Sequence, residues 1–355
     1  MFKSILPKSV KIVEKFKIFL CIALAVILVG LAFIIFKGMN IGVDFSGGAK
    51  IEIDFDSFAN DAESSELIKA ELKKIIESDN DCKISGDIQV SPSSEGSTYE
   101  ITLRYYHGHD LSAEEESEFV TFIQGAEGGL SGDIAEGLGR LFEENAKLKS
   151  LGATIEVENV KAYTVGATAS GSLIRSAAIA LAVAIVVMLV YIVIRFTLAS
   201  ALAAVCALVH DVLIMVAATA IFGIPVNSTF IAAVITIVGY SINATIIIFD
   251  RVREERKSAS NSNESDEYVA NLSIAATLNR TILTTLTTLV MVVALAIFSV
   301  PAIREFIIPI IFGLLAGSYS SVFLASGFWA TFRKLGKKIS NGKSKKNAYD
   351  GSQSK

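Results

Sequence analysis

The chain is short of the side chains that do covalent or metal chemistry. Its 355 residues hold three cysteines and three histidines. Cys21 and Cys206 fall inside apolar runs, with Cys82 alone outside them, so no pair is placed to bridge and no spacing suits zinc. His107 and His109 precede Asp110 in YYHGHD, a spacing that can chelate from a strand. One such pair without further ligands reads as a polar strand end, and no metal or cofactor is expected. There is no Ser–His–Asp arrangement, no phosphate-cradling loop and no nucleic-acid module. The acid-rich stretch described below argues further against nucleic acid. An enzyme is not expected.

What the sequence has in quantity is apolar length. Hydrophobic residues make up 52% of it and the mean hydropathy is +0.54, the composition of a membrane protein. Crossing roughly 30 Å of hydrocarbon takes about 20 residues. Runs of that size lie at 18–36, 173–194, 198–222, 228–249, 281–300 and 306–332. The first is too long for a signal peptide's apolar core and no small-residue cleavage site follows it, so it reads as a retained span.

Charge then orders the spans. Residues 37–171 carry 26 acidic and 11 basic groups, net −15, while the remainder carries 10 and 21, net +11. Lysines 3, 8, 11, 15 and 17 flank the first run, and Arg333, Lys334, Lys337 and Lys338 follow the last. Basic flanks stay in the cytoplasm. The expected layout is a cytoplasmic flank at 1–17, a first span at 18–36 and an extracytoplasmic domain at 37–171. Five more spans follow within 172–332, with a cytoplasmic loop at 250–280, and a cytoplasmic basic tail fills 333–355.

Within the acidic insertion, period-two alternation at 49–55 marks a strand, and further strands are expected at 87–90, 98–105 and 152–163. Helical stripes lie at 64–78 and 112–124, the latter opened by a capping box of Ser112 and Glu115. Residues 125–139, rich in glycine and acid, read as a loop with a short helix. The order strand–helix–strand–strand–helix–strand suggests a small α+β sandwich of the split βαβ type.

Several spans carry polar groups. His210 and Asp211 sit near the middle of the third, where an ionised Asp costs about 2.5–3.5 kcal/mol on insertion scales. Such groups mark proton or ion pathways or are buried between helices. In the fourth, GYSINATIIIFDR (239–251), Gly239 and Asn243 share one face, Ser241 and Thr245 another. In the fifth, Thr281, Thr284, Thr285 and Thr288 form a hydroxyl stripe beside Arg280, either a hydrated surface or threonines bonding back to their own helix. In the sixth, Gly313-x-x-x-Gly317 reads as close helix packing.

Taken in order, GVDFSGG (42–48), VHD (209–211), GYSINATIIIFDRVREE (239–255), NRTILTTLTTLV (279–290) and GSYSSVFLAS (317–326) resemble the SecF family of the bacterial Sec export machinery. Most of residues 56–150 have no matching pattern. The resemblance implies a polytopic α-helical membrane protein with six transmembrane helices, a half bundle like those of the resistance–nodulation–division superfamily, plus one α+β extracytoplasmic domain. It implies SecD as partner, work beside SecYEG on a translocating preprotein after SecA has spent ATP, and use of the proton motive force in the lipid of the inner membrane. It carries Asp211 and Arg280 over as the Asp of span three and the Arg opening span five. Asp44, Gly47 and Gly48 become the motif that follows span one. His210, Asn243, Thr245 and Thr284 join them as the expected polar membrane cluster. One departure stands out: the family's acidic residue after GYS-x-N is replaced here by Ala244. The alternatives are a small-molecule or lipid exporter of the same superfamily and an assembly subunit that carries no protons.

Overall fold

The computed structural model describes residues 11–46, 48–54, 62–78, 89–92, 98–104, 117, 121–123, 129–145, 148, 160–165, 167–258, 264–299 and 301–350. In chain order its helices and strands are α1 (Phe16–Lys37), α2 (Val43–Ser46), β1 (Gly48–Asp54), α3 (Ala62–Ser78), β2 (Gln89–Pro92), β3 (Thr98–Arg104), α4 (Leu130–Glu144), β4 (Val160–Val165) and α5 (Ala167–Arg195). Then come α6 (Leu198–Phe222), α7 (Ser228–Lys257), α8 (Asp266–Phe298), α9 (Pro301–Tyr319), a π-helical stretch Ser320–Ala325, and α10 (Ser326–Asp350). The final span is α9, the π stretch and the start of α10 taken together.

Among the described residues, six helices are long and apolar enough to cross a membrane. Their ends follow capping rules. Thr197, Asn227 and Ser265 each accept a backbone N–H from the first turn of α6, α7 and α8. Gly223 closes α6 at φ +67°, a left-handed conformation that suits glycine.

Two helices run further than hydropathy marks. Much of 250–280, read from its charge as a loop, is the end of α7 and the start of α8. Charge does not stop a helix. Arg251 pairs with Glu254 at 2.7 Å and Glu255 at 2.5 Å, one turn away on its own helix. Asp266, opening α8, gathers Arg256 of α7 with Arg333 at 3.1 Å and Lys337 at 2.8 Å from α10. The end of α7, the start of α8 and the body of α10 are thereby tied to one carboxylate.

Burial divides the spans. α6, α7 and the final span are 50–61% buried over their apolar windows, while α1, α5 and α8 are only 6–11% buried. Glycines let the inner helices touch, as the GxxxG spacing predicts. A Cβ on Gly313 would stand 2.5 Å from Ile237 of α7, and one on Gly317 would stand 3.0 Å from Ser241. Gly30 of α1 abuts Ala217 of α6, where a Cβ would come within 2.1 Å.

The remaining elements form an antiparallel sheet in the order β2-β3-β1-β4. β3 pairs antiparallel with both β1 and β2, which makes those two parallel to each other with β3 between them. This is the split βαβ arrangement expected from the element order. Ala49, Ile51 and Ile53 of β1 are fully buried, alternating as a strand with one covered face must. They share a core with Ile68 and Leu72 of α3 and with Leu130, Ile134, Leu138 and Phe142 of α4.

α4 corrects the sequence reading. Residues 125–139 were expected to be a loop with a short helix, and the glycine count misled. Leu130, Ile134, Leu138 and Phe142 recur every four residues, a helical stripe. Gly137 is there for contact: a Cβ would reach 2.4 Å from Ile75 of α3. β4 lies at Val160–Val165, so the last strand extends past the expected end at 163. Of the expected helix at 112–124, residues 117 and 121–123 are described, and they are helical. Gly47, Cys82, His107, His109 and Asp110 lie outside the described residues.

Candidate functional site: a buried carboxylate in the helix bundle

α6 carries His210 and Asp211 into the middle of the bundle, where Asp211 is fully buried and His210 nearly so. Each carboxylate oxygen has a donor. His210 donates from Nδ1 to Oδ1 at 2.9 Å. Ser241 of α7 and Ser320 of the π stretch both donate to Oδ2, the latter at 2.9 Å. Three elements of the chain therefore meet on one side chain. The two carboxylate oxygens offer about four acceptor sites, and the three donors occupy all but one, which is on Oδ1. A proton taken up there leaves the serine bonds in place, so the arrangement can exist in two states that differ by that proton.

The surroundings explain how these groups meet. Gly317 removes the side chain that would hold α9 away from Ser241. The π stretch then widens the helix by one residue per turn at Ser320, a local change of the kind often found at functional positions. Tyr319, just before it, stacks on the His210 ring with centroids 5.9 Å apart. Its hydroxyl donates to the Phe19 carbonyl of α1 at 2.8 Å. A continuous contact path joins Asp211 to α1 through His210 and Tyr319.

The other expected site residues are not gathered here. Thr245 is buried on the Ser241 face of α7, as its spacing requires, and Ala244 is buried beside it. Asn243 points the other way and is exposed. Arg280 and Thr284 are exposed too, on α8. The four threonines of α8 do not share one environment. Thr281 and Thr285 are buried, and their hydroxyls have no hydrogen-bond partner. Thr284 and Thr288 donate back to the carbonyls of Arg280 and Thr284, at 2.9 and 3.0 Å. Residues four apart stay together, and the split falls between residues three apart, which stand about 60° round the helix from each other, enough to divide a stripe between core and surface. Asp44 is placed far from Asp211 in the chain's contacts, at the first turn of α7, where it accepts from Ser228. Gly48 begins β1.

Sequence reasoning missed Ser320 and Tyr319 as members of the site. Ser241 had been placed on a polar face without a partner. A buried carboxylate in search of donors could have pointed to Ser241, the hydroxyl nearest mid-span on a face it shares with Thr245. Nothing in the sequence marks the π stretch that brings Ser320 round.

A multi-span bundle built around one buried acid, with a split βαβ domain between its first two spans, defines a class of membrane transport protein. The family model described as "Protein export membrane protein SecD/SecF, C-terminal" matches residues 144–335, and the "SecD/SecF GG Motif" matches 32–57. The SecF protein translocase subunit of Calditerrivibrio nitroreducens is 30% identical over 330 residues, covering 93% of this chain and 96% of that one. The SecDF translocase subunit of Bacillus subtilis is 31% identical over 321 residues, which are 90% of this chain and 38% of that longer one. Among solved structures, SecDF of Thermus thermophilus, a translocon-associated membrane protein, superposes with a TM-score of 0.68 at 25% identity. The match covers 94% of this chain and 40% of that one. The chain belongs to the SecF branch of the SecD/SecF family and is a multi-pass membrane protein.

Proposed function

We propose that the chain works as the SecF-type half of a SecDF complex in the late steps of protein export across the inner membrane. Its partner is a SecD-like chain, and the proton motive force drives the work after SecA has acted at SecYEG. Both termini lie in the cytoplasm. The α+β domain lies outside, where the translocating preprotein emerges. The net −15 of residues 37–171 against basic flanks supports that orientation. The longer SecDF relatives, of which this chain matches about two fifths, support a second bundle as partner.

The observation that carries the reading is Asp211, fully buried among helices and held by donors from three elements. A carboxylate in hydrocarbon is costly and marks a proton or ion pathway by default. Ala244 cannot take a proton, so within this chain Asp211 is the group left to do so. A second carboxylate is supplied by the partner. Arg280 stands exposed on α8 with no ion pair among the described residues, and Asn243 is exposed on α7, positions that suit an acid from another bundle.

The test is export of a preprotein into vesicles carrying the purified complex under an imposed proton gradient. Asp211→Asn keeps the shape and removes the proton site. It is expected to assemble with its partner and to lose proton-driven export. Full export by this variant would reduce Asp211 to a packing residue.

A further inference from the structure

The segment joining α1 to β1 is stitched to the turn between α6 and α7. The Asn40 carbonyl accepts the Val226 N–H at 2.7 Å, and its side-chain Nδ2 donates to the Gly223 carbonyl at 2.9 Å. Gly42 N–H donates to the Val226 carbonyl at 2.9 Å, and Ile41 and Val226 form an isolated parallel bridge. Gly42 is small for a reason, since a Cβ there would meet Asn227 at 2.9 Å. Asp44 then accepts from both the N–H of Ser228, at 2.9 Å, and its hydroxyl.

Ser228 is the first residue of α7. Asn227 caps the Phe230 N–H at 3.1 Å, so Asp44 satisfies a second orphan donor and adds negative charge at the positive helix end. From Ser228 the same rigid helix runs about 20 Å to Ser241, the donor on Asp211. On its other side Asp44 belongs to α2, which packs Phe45 into the bundle core and touches β1 and β3. β1 starts one residue beyond α2, and at its first residue, Gly48, it pairs with Val165, the last of β4. α5 begins two residues after that.

We infer that Asp44, with the Ile41–Val226 bridge, is a fixed clamp that makes α7 and the sheet move as one body. Asp44 is a positioning residue: it touches no proton site and passes to β1 whatever displacement Ser241 undergoes at Asp211. The inference rests on the proton-driven reading above. It gives the motif after span one a task of its own, which is transmission.

The experiment uses the complex in vesicles, from a parent in which Cys21, Cys82 and Cys206 are alanine. Asp44→Ala is expected to lower proton-driven export about fivefold, the ratio that loss of one helix cap corresponds to. Asp44→Asn keeps an acceptor at the helix start and is expected to retain most of it. Ile41→Cys with Val226→Cys, oxidised, is expected to export at the parental rate with Asp44 present and to rescue Asp44→Ala until reduced. Parental export by Asp44→Ala, or failure of the disulfide to rescue an assembled Asp44→Ala chain, overturns the clamp. So does arrest of export by the disulfide in a chain that keeps Asp44, because a clamp that must open is not fixed. That last arm does not depend on Asp44→Ala accumulating. Loss of proton dependence already in the parent would count against the functional reading, separately from the clamp.

Discussion

Two polar regions of the membrane bundle differ in nearly every physical respect. Around Asp211 each carboxylate oxygen has a donor inside the chain, and the group is closed off from the surroundings. Along the outward faces of α7 and α8, Asn243 and Arg280 are exposed and have no side-chain partner among the described residues, while Thr284 and Thr288 satisfy themselves on their own helix. Tyr240, which donates to Thr288 at 3.4 Å, is the contact that ties the two helices on that side. A satisfied cluster can hold and release a proton without help from outside. An unsatisfied stripe in hydrocarbon is unfinished, and in the proposed complex its missing half would come from the SecD-like partner. One region is therefore read as machinery and the other as an interface.

Arg280→Leu separates the two most sharply. The guanidinium makes no hydrogen bond or ion pair among the described residues, so the melting temperature of the isolated protein should stay within the scatter of repeat measurements. Association with the SecD-like partner should weaken about tenfold or more, because a buried charge pair would lose one member. Co-purification and thermal melting in the same detergent measure both. Unchanged association would remove the stripe from the interface.

Gly317→Val acts on the other region and should be milder. Its side chain enters the contact with Ser241, where even a Cβ would stand at 3.0 Å. Overpacking of that kind costs about 1–3 kcal/mol. Melting should shift down while partner association, if the two regions are independent, stays the same. A variant that melts normally would show that α9 and α7 are free to separate there. A fall in association instead would show that the two regions are coupled.

The same contrast explains how far the sequence could be read. The six spans follow from hydropathy, and the sheet order follows from alternation and element order, because both depend on patterns that local residues carry. Asp211 stood out because a mid-span acid is costly wherever it faces. Its donors did not, since Ser320 reaches it only through a π stretch whose extra residue per turn has no sequence mark. Asn243 and Thr245, two residues apart, fall on different faces of α7 by spacing alone, yet both joined the expected functional set. Telling inward from outward needs the neighbouring helices. α4 was hidden for a different reason: Gly137 serves a close approach to α3, and composition alone reads glycine as loop.

The central claim is that Asp211 changes protonation as the complex works. The most direct measurement is the infrared difference spectrum of the reconstituted complex between the two sides of an imposed pH change, read in the region of protonated carboxyl stretches. The account predicts a band in the parent that is missing in Asp211→Asn and displaced in Ser320→Ala, since that hydroxyl bonds the same oxygen. An identical band in parent and Asp211→Asn would contradict it, and would place the working carboxylate on the partner alone.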